Sequence, residues 1–248
     1  MNKDSNGFIS VIIVSHGHKN YVEKLLKQII QSKLVKEIIL IKNLAEEISY
    51  NDPKVKEISN SFPKSYSENI NFGLNECSSE FVCLMNPDIF FKDYDPDKVL
   101  SSLLSKLSED SNYSIVSPIV LDKEGFISDF ARDFPCVTGV FYKFFKHILL
   151  RRPIKVAKLN MTPDWVGGMF MFFKASTIRD IGGFSINFRL YYEDVDLCYR
   201  LKLSEKKICV DDKVSVIHYG QRNSWKSPKY FYWHISSMLK FFIIRYFK

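Results

Sequence analysis

The sequence predicts an open α/β domain: a mixed, mostly parallel sheet flanked by helices. Three observations predict it. Short apolar runs rich in β-branched residues, such as Phe8-Ile-Ser-Val-Ile-Ile-Val-Ser15, read as strands buried on both faces. Tyr21, Leu25, Ile29 and Ile30 then recur at helical spacing, and residues 37–41 form a second apolar run. That opening is βαβ, which implies a parallel pair and a right-handed crossover.

Each element follows in order. Residues 8–15 make the first strand, His16-Gly17-His18 turns the chain, and residues 19–32 make the first helix. After the strand at 37–41, residues 43–66 are polar and broken by Asp52-Pro53 and Phe62-Pro63, so they read as loop with a short strand at 55–58. Residues 67–77 are helical and residues 81–85 are a buried strand. That strand stops at Asn86-Pro87-Asp88, because Pro87 has no N–H for a central ladder. A surface helix at 96–107 and a strand at 113–121 come next. Residues 122–163 are irregular, with an amphipathic basic stretch from 140 to 152. Residues 165–173 read as one strand interrupted by Gly167-Gly168. A short helix at 175–181 ends at Gly182-Gly183-Phe184, a helix spans 192–203, and two strands span 207–210 and 214–218. Strands and helices alternate throughout, without internal repeat or low-complexity linker.

The 248 residues are 46% hydrophobic and 25% charged, enough for one large domain (1–222) and a small C-terminal appendage (223–248). Net charge is +7, which favours an anionic partner. Nucleic acid is excluded by arrangement, since the lysines are dispersed and no nucleic-acid-binding motif is present. A dinucleotide-dependent oxidoreductase lacks its Gly-x-Gly-x-x-Gly after the first strand. Five cysteines without Cys-x-x-Cys read as reduced thiols of a cytosolic protein, mostly core filler. The N-terminus runs into a strand and not a signal h-region, and no run of about 18 uncharged apolar residues suits a spanning helix.

The chemistry concentrates at strand ends. In open sheets ligands bind beyond the carboxyl ends of strands, where Ser15-His16 and Asn86-Pro87-Asp88 lie. Asp88 suits a hard cation, Mg²⁺ or Mn²⁺, or else simply makes a turn with Asn86 and Pro87. In Leu190-Tyr-Tyr-Glu-Asp-Val-Asp-Leu-Cys-Tyr-Arg-Leu201, three carboxylates interrupt an apolar stretch, and burying charge is costly without partners. Asp194 suits a general base; Glu193 and Asp194 otherwise cap the helix they begin, and Asp196 pairs with Arg200 at i+4. His218 ends an apolar strand, as an edge residue or as a second metal ligand. Gly167-Gly168 and Gly182-Gly183, near Trp165 and Phe184, either floor a sugar pocket or form a bulge and a helix cap. The 229–248 segment spreads apolar residues around a helix and adds Lys229, Lys240 and Arg245. It suits an interfacial membrane helix, a partner, or packing on its own domain, and residues 141–152 are a second candidate for a membrane surface.

In order along the chain, these motifs resemble the inverting GT-A (Rossmann-like) glycosyltransferases of family 2, most closely the bacterial rhamnosyltransferase-like branch. The resemblance covers about residues 8–222. It rests on Val11-Ile-Ile-Val-Ser-His16, Asn69-Ile-Asn-Phe-Gly73, Leu84-Met-Asn-Pro-Asp-Ile89, Asp164-Trp-Val-Gly-Gly168, Gly182-Gly-Phe184, Tyr192-Glu-Asp-Val-Asp-Leu-Cys198 and Ile217-His218. It implies Asp194 as catalytic base, with Asp88 and His218 on a Mg²⁺ or Mn²⁺ ion. Ser15, His16, Asn43, Asn69, Asn86 and Asp88 fall on the nucleotide-sugar side, and Trp165, Gly167, Gly168 and Glu193 on the acceptor side. The implied partners are a nucleotide-sugar donor, such as dTDP-rhamnose, and a saccharide acceptor, often lipid-linked. The implied location is the cytoplasm, at the inner face of the bacterial membrane. Galactofuranose or N-acetylglucosamine donors, or a catalytically silent glycan-binding relative, are the alternatives. One departure is plain: the family's Asp-Asn pair after the second strand is Lys42-Asn43 here, so Lys42 meets a phosphate or is solvated.

Overall fold

A computed structural model describes residues 8–48, 50–92, 95–136, 139, 160–220 and 227–247. The basic stretch at 140–152 lies outside them. The sheet begins with β1 (Ile9–Ser15), β2 (Val35–Lys42), β3 (Val55–Ser59) and β4 (Phe81–Met85), parallel in the order β3-β2-β1-β4. All seven residues of β1 are buried, as a strand paired on both edges and covered on both faces requires. α1 (Lys19–Ile29) crosses from β1 to β2, burying Val22, Leu25, Leu26 and Ile29 along one stripe.

α2 (Tyr66–Glu76) crosses from β3 to β4. It starts at a capping box in which Ser65 accepts from the Glu68 N–H and Glu68 reaches back to the Ser65 backbone. The helix lies close to the sheet at Gly73, where a Cβ would come within 2.9 Å of Ile12 Cγ2. β4 is followed by a two-residue strand, β5 (Ile89–Phe90), which the sequence reading did not anticipate. α3 (Pro96–Ser108) is capped by Asp95, with proline in its first turn. β6 (Tyr113–Leu121) follows it.

The segment read as one interrupted strand is two. β7 (Ala131–Arg132) and β8 (Trp165–Val166) form a small antiparallel ribbon, whereas β9 (Phe170–Lys174) enters the main sheet antiparallel between β4 and β6. α4 (Ala175–Asp180) closes on Gly182 and Gly183, whose φ of 82° and 73° and bonds back to Arg179 and Ile178 form a helix C-cap. α5 (Glu193–Leu203) begins one residue later than expected. The two expected C-terminal strands are one, β10 (Lys207–His218), with a register shift between Asp211 and Ser215. The sheet order is β3-β2-β1-β4-β9-β6-β10-β5, and only β9 and β5 run against the rest.

Six carboxyl ends therefore meet at one edge, and β9 enters from that same edge. Four of the cysteines are buried as expected, while Cys136 is exposed. α6 (Pro228–Phe247) packs on its own domain. Phe241 is fully buried against Phe134, Tyr192 and Tyr199. Ser237 Oγ donates to Leu190 O (2.9 Å) and Lys240 Nζ to Asn187 O (3.0 Å). The packing alternative for this helix holds for one face. The opposite face leaves Tyr232, Leu239, Ile243, Tyr246 and Phe247 exposed. Among the described residues, no helix is long and apolar enough to cross a membrane.

Candidate active site

The carboxyl edge carries three groups of side chains. The first is built on the end of β4. Asn86 N donates to Met169 O (2.9 Å), and Ile89 N to Asn86 O (3.2 Å), closing a turn over Pro87 and Asp88. Ile89 then pairs with His218, which brings Asp88 Oδ1 to 3.2 Å from His218 Nε2. Asp88 thus makes the turn that the sequence allowed, with its carboxylate beside an imidazole. A cavity of about 400 Å³ opens on it, lined by Tyr21, Lys24, Asp88, Ile89, Phe90 and Tyr219.

Asp88 and His218 fit a divalent cation only in part. One oxygen and one nitrogen donor in contact suit Mn²⁺ or Mg²⁺, but among the described residues no third His, Cys, Asp or Glu joins them. The remaining positions would fall to oxygen donors from outside the protein.

The second group stands at the start of α5. Gly168 N donates to Asp194 Oδ2 (2.9 Å) and Val195 N to Oδ1 (2.9 Å). Burial raises the Asp194 pKa above the usual carboxylate value, while those N–H groups and the Arg132 charge pull against it. Glu193 is 5% exposed and its Oε2 has no partner. Burial, then the Asp194 charge, push its pKa well above normal. Tyr191 and Tyr192, just before, both hold positive φ (68° and 67°), which side chains rarely tolerate. Glu193 and Asp194 do not cap α5 with their side chains in the usual way, since the N-cap position is Tyr192. Asp196 pairs with Arg200 at 2.8 Å, and Arg200 also donates to Ile181 O and Gly183 O, so this pair holds α5 to the α4 cap.

The third group surrounds the ends of β1 and β2. Asn43 is fully used: Oδ1 accepts from Asn60 Nδ2 and Lys64 N (2.8 Å each), while Nδ2 lies 2.9 Å from Lys64 O and 3.1 Å from His16 Nδ1. Asn69 joins the network through Asn60 (2.7 Å) and Ser65 O (2.8 Å). These asparagines brace the chain entering α2. Burial lowers the His16 pKa, helped by His18. Ser15 Oγ donates to Glu46 Oε2 (2.8 Å), and Gly17 N to Glu46 Oε1 (2.7 Å). Lys42 is neither solvated nor aimed at the edge. Its Nζ binds Glu57 Oε2 and Ile48 O, both at 2.9 Å.

Around β8, Trp165 Nε1 donates to Asp133 O (3.2 Å), and the Arg132 guanidinium lies 5.6 Å from its ring centre. Gly167 N donates to Phe130 O (2.7 Å). Gly182-Gly183 forms the α4 C-cap described above, and a Cβ on Gly183 would strike Asn71 Oδ1 at 2.5 Å. Three neighbours escaped the sequence reading. Tyr66 lies between the first two groups, its hydroxyl 2.9 Å from Asn86 Oδ1 and 3.3 Å from Gly168 O. Arg132 arrives on β7 and Glu46 from the loop after β2. None carries a local signal, because each owes its place to tertiary contacts.

The comparisons agree with this architecture. The chain is 25% identical to the rhamnosyltransferase WbbL of Escherichia coli (strain K12), over 94% of this chain and 92% of that one. It is 26% identical to the low-salt glycan biosynthesis hexosyltransferase Agl10 of Haloferax volcanii, over 85% of this chain and 66% of that one. Two solved structures share the fold at 13% identity, each over 88% of this chain. They are GalNAc-T7 with UDP, GalNAc and Mn²⁺ (TM-score 0.61, 45% of that chain) and the mannosyltransferase PcManGT of Pyrobaculum calidifontis with GDP-Man and Mn²⁺ (0.60, 59%). The glycosyl transferase family 2 model matches residues 10–179. With strand ends, paired carboxylates and sheet order already in place, the chain belongs to glycosyltransferase family 2.

Proposed function

We propose that this glycosyltransferase moves L-rhamnose from dTDP-rhamnose onto a lipid-linked saccharide in bacterial surface-polysaccharide synthesis, such as O-antigen or capsule. The attack is a single displacement with inversion. The observation that carries the reading is Asp194, a buried carboxylate held by the Gly168 N–H on the same sheet edge as Asp88 and His218. Its raised pKa makes it a stronger base for the acceptor hydroxyl. The family relation makes transfer the reaction class, and a rhamnosyltransferase aligned over nearly its full length supports the sugar.

In this reading Asp88 and His218 hold Mg²⁺ or Mn²⁺, which supplies charge neutralisation to the departing diphosphate. Ser15, His16 and Asn86 line the donor side, with Asn43 and Asn69 bracing it from behind. Trp165, Gly167, Gly168 and Glu193 line the acceptor side. Residues 1–222 form the catalytic domain. Residues 223–248 add a helix whose outer face, Tyr232, Leu239, Ile243, Tyr246 and Phe247, meets the inner leaflet, with the exposed Lys229 toward anionic headgroups. Replacing Leu239 and Ile243 by glutamate is expected to abolish co-flotation with anionic vesicles; flotation equal to wild type removes the membrane contact.

A thermal-shift screen of nucleotide-sugars with and without Mn²⁺ tests the donor, because a true ligand raises native-state stability. Stabilisation by dTDP-rhamnose above UDP-galactofuranose and UDP-N-acetylglucosamine supports the assignment, and the reverse order replaces the sugar. Asp194→Asn is expected to lower kcat by about 10³-fold, within the range for loss of a general base. Turnover equal to wild type removes the catalytic-base assignment.

A further inference from the structure

We propose that Tyr66 is a positioning residue whose hydroxyl locks the Asp88-bearing turn against the loop that holds Asp194. This rests on the roles proposed for those two carboxylates. The hydroxyl lies 2.9 Å from Asn86 Oδ1 and 3.3 Å from Gly168 O. Asn86 is two residues before Asp88. Gly168 is the residue whose N–H holds Asp194 Oδ2 at 2.9 Å. A short chain of contacts therefore runs from the Asp194 carboxylate through Gly168 and Tyr66 to the Asn86 side chain. Two loops far apart in sequence, already tied by the Asn86 N–Met169 O bond (2.9 Å), are braced a second time by one phenol.

The mount of that phenol is rigid. Tyr66 is the first residue of α2, directly after the Ser65 capping box. Its N–H donates to Arg189 O (3.3 Å). One turn on, Asn71 brackets Phe184, accepting from its N–H at 2.8 Å and donating to its carbonyl at 2.7 Å. Gly73 seats the helix against Ile12 and Ile41. The ring therefore cannot follow either loop; the loops must follow the ring. Burial, and then the charges of Glu193, Asp194 and Asp88, push the Tyr66 pKa well above 10, so the group stays a neutral donor at working pH. A tyrosine hydroxyl has one proton and both neighbours are acceptor oxygens, so the proton goes to Asn86 Oδ1 and Gly168 O shares it as the longer arm of a three-centre bond.

The chemistry explains why such a lock matters. Displacement at an anomeric carbon needs the acceptor oxygen, the carbon and the leaving oxygen in line. The acceptor hydroxyl is placed by Asp194 and the leaving diphosphate by the Asp88 side. A misplacement of about 1 Å can cost on the order of 100-fold in rate. Water in the same site needs less alignment, being small and free to reorient.

The test is Tyr66→Phe in the full chain, measured for sugar transfer and for donor hydrolysis. The expected result is a kcat for transfer about 10-fold lower, well inside the misplacement penalty, with donor and acceptor KM and Tm near wild type. Hydrolysis should fall less, so the ratio of hydrolysis to transfer rises. Combining Tyr66→Phe with Asn86→Ala should cost no more than Asn86→Ala alone, because both remove the same lock. Unchanged transfer, or equal loss of both reactions with a lowered Tm, overturns the proposal. Asp194→Asn run beside it separates the layers. If Asp194→Asn is inactive and Tyr66→Phe is normal, only the lock is wrong; if Asp194→Asn is fully active, the site assignment falls and the lock with it.

Discussion

Glu193 carries one carboxyl oxygen, Oε2, without a partner, packed beside Asp194 and nearly closed to solvent. Its raised pKa has a consequence for stability that can be signed. In the unfolded chain a glutamate loses its proton near pH 4.3, whereas in the folded protein it keeps it to a higher pH. Above the unfolded value the native state therefore binds more protons, and stability falls as pH rises toward the folded value. Asp194 adds to this in the same direction. Glu193→Gln, neutral at every pH, is expected to raise Tm at pH 8 relative to wild type and to raise it less at pH 5. A Tm difference that does not change with pH in differential scanning fluorimetry would falsify the buried-acid reading. At the same scale, a methyl added at Gly73 has to displace Ile12, so Gly73→Ala is expected to destabilise by about 1–3 kcal/mol in urea melts, the usual cost of overpacking.

The elements differ in how far the sequence disclosed them. β1, β4, β6 and α1 were legible because a buried strand and an amphipathic helix write their burial directly into residue choice. β5 and β7 were not: a two-residue strand has no periodicity, and both exist only because a partner strand arrives from elsewhere. The site divides the same way. Asp88, Asp194 and His218 stand at element ends that the pattern marks, and the pairing of β5 with β10 brings two of them, Asp88 and His218, together. Tyr66, Arg132 and Glu46 act through tertiary contacts that no spacing announces. α6 is apolar on most sides, so the sequence left its packing open; its inner face proves to hold the loop before α5, through Ser237, Lys240 and Phe241. Phe241→Ala is expected to cost about 3–5 kcal/mol, the range for emptying an aromatic core site. Because Tyr192 loses its neighbour, kcat should fall as well. Stability and kcat both near wild type would show α6 to be a passenger.

For the whole molecule, the sheet gathers charge at one edge, and the metal site proposed there would have two protein ligands, Asp88 and His218, among the described residues. The donor would then have to complete the coordination shell. Titration calorimetry is expected to show Mn²⁺ binding tightly only when the nucleotide is present, and equal affinity with and without it would contradict a two-ligand site. Removing metal with a chelator should likewise weaken donor binding far more than it lowers the apoprotein's Tm, because the cation is not part of the core.

The distance between Asp88 and His218 is set by neither side chain. It is set by counting residues along two strands. Ile89 faces His218 across an antiparallel pair only two residues long, and Tyr219 N closes it on Asp88 O at 3.0 Å. A strand alternates faces at every residue. One residue inserted before Ile89 would turn Asp88 away from the imidazole while leaving every chemical group intact. This stretch should therefore tolerate changes of identity far better than changes of length. Substitution and insertion there, compared by Mn²⁺ binding in the presence of donor, would show that the site keeps time by register.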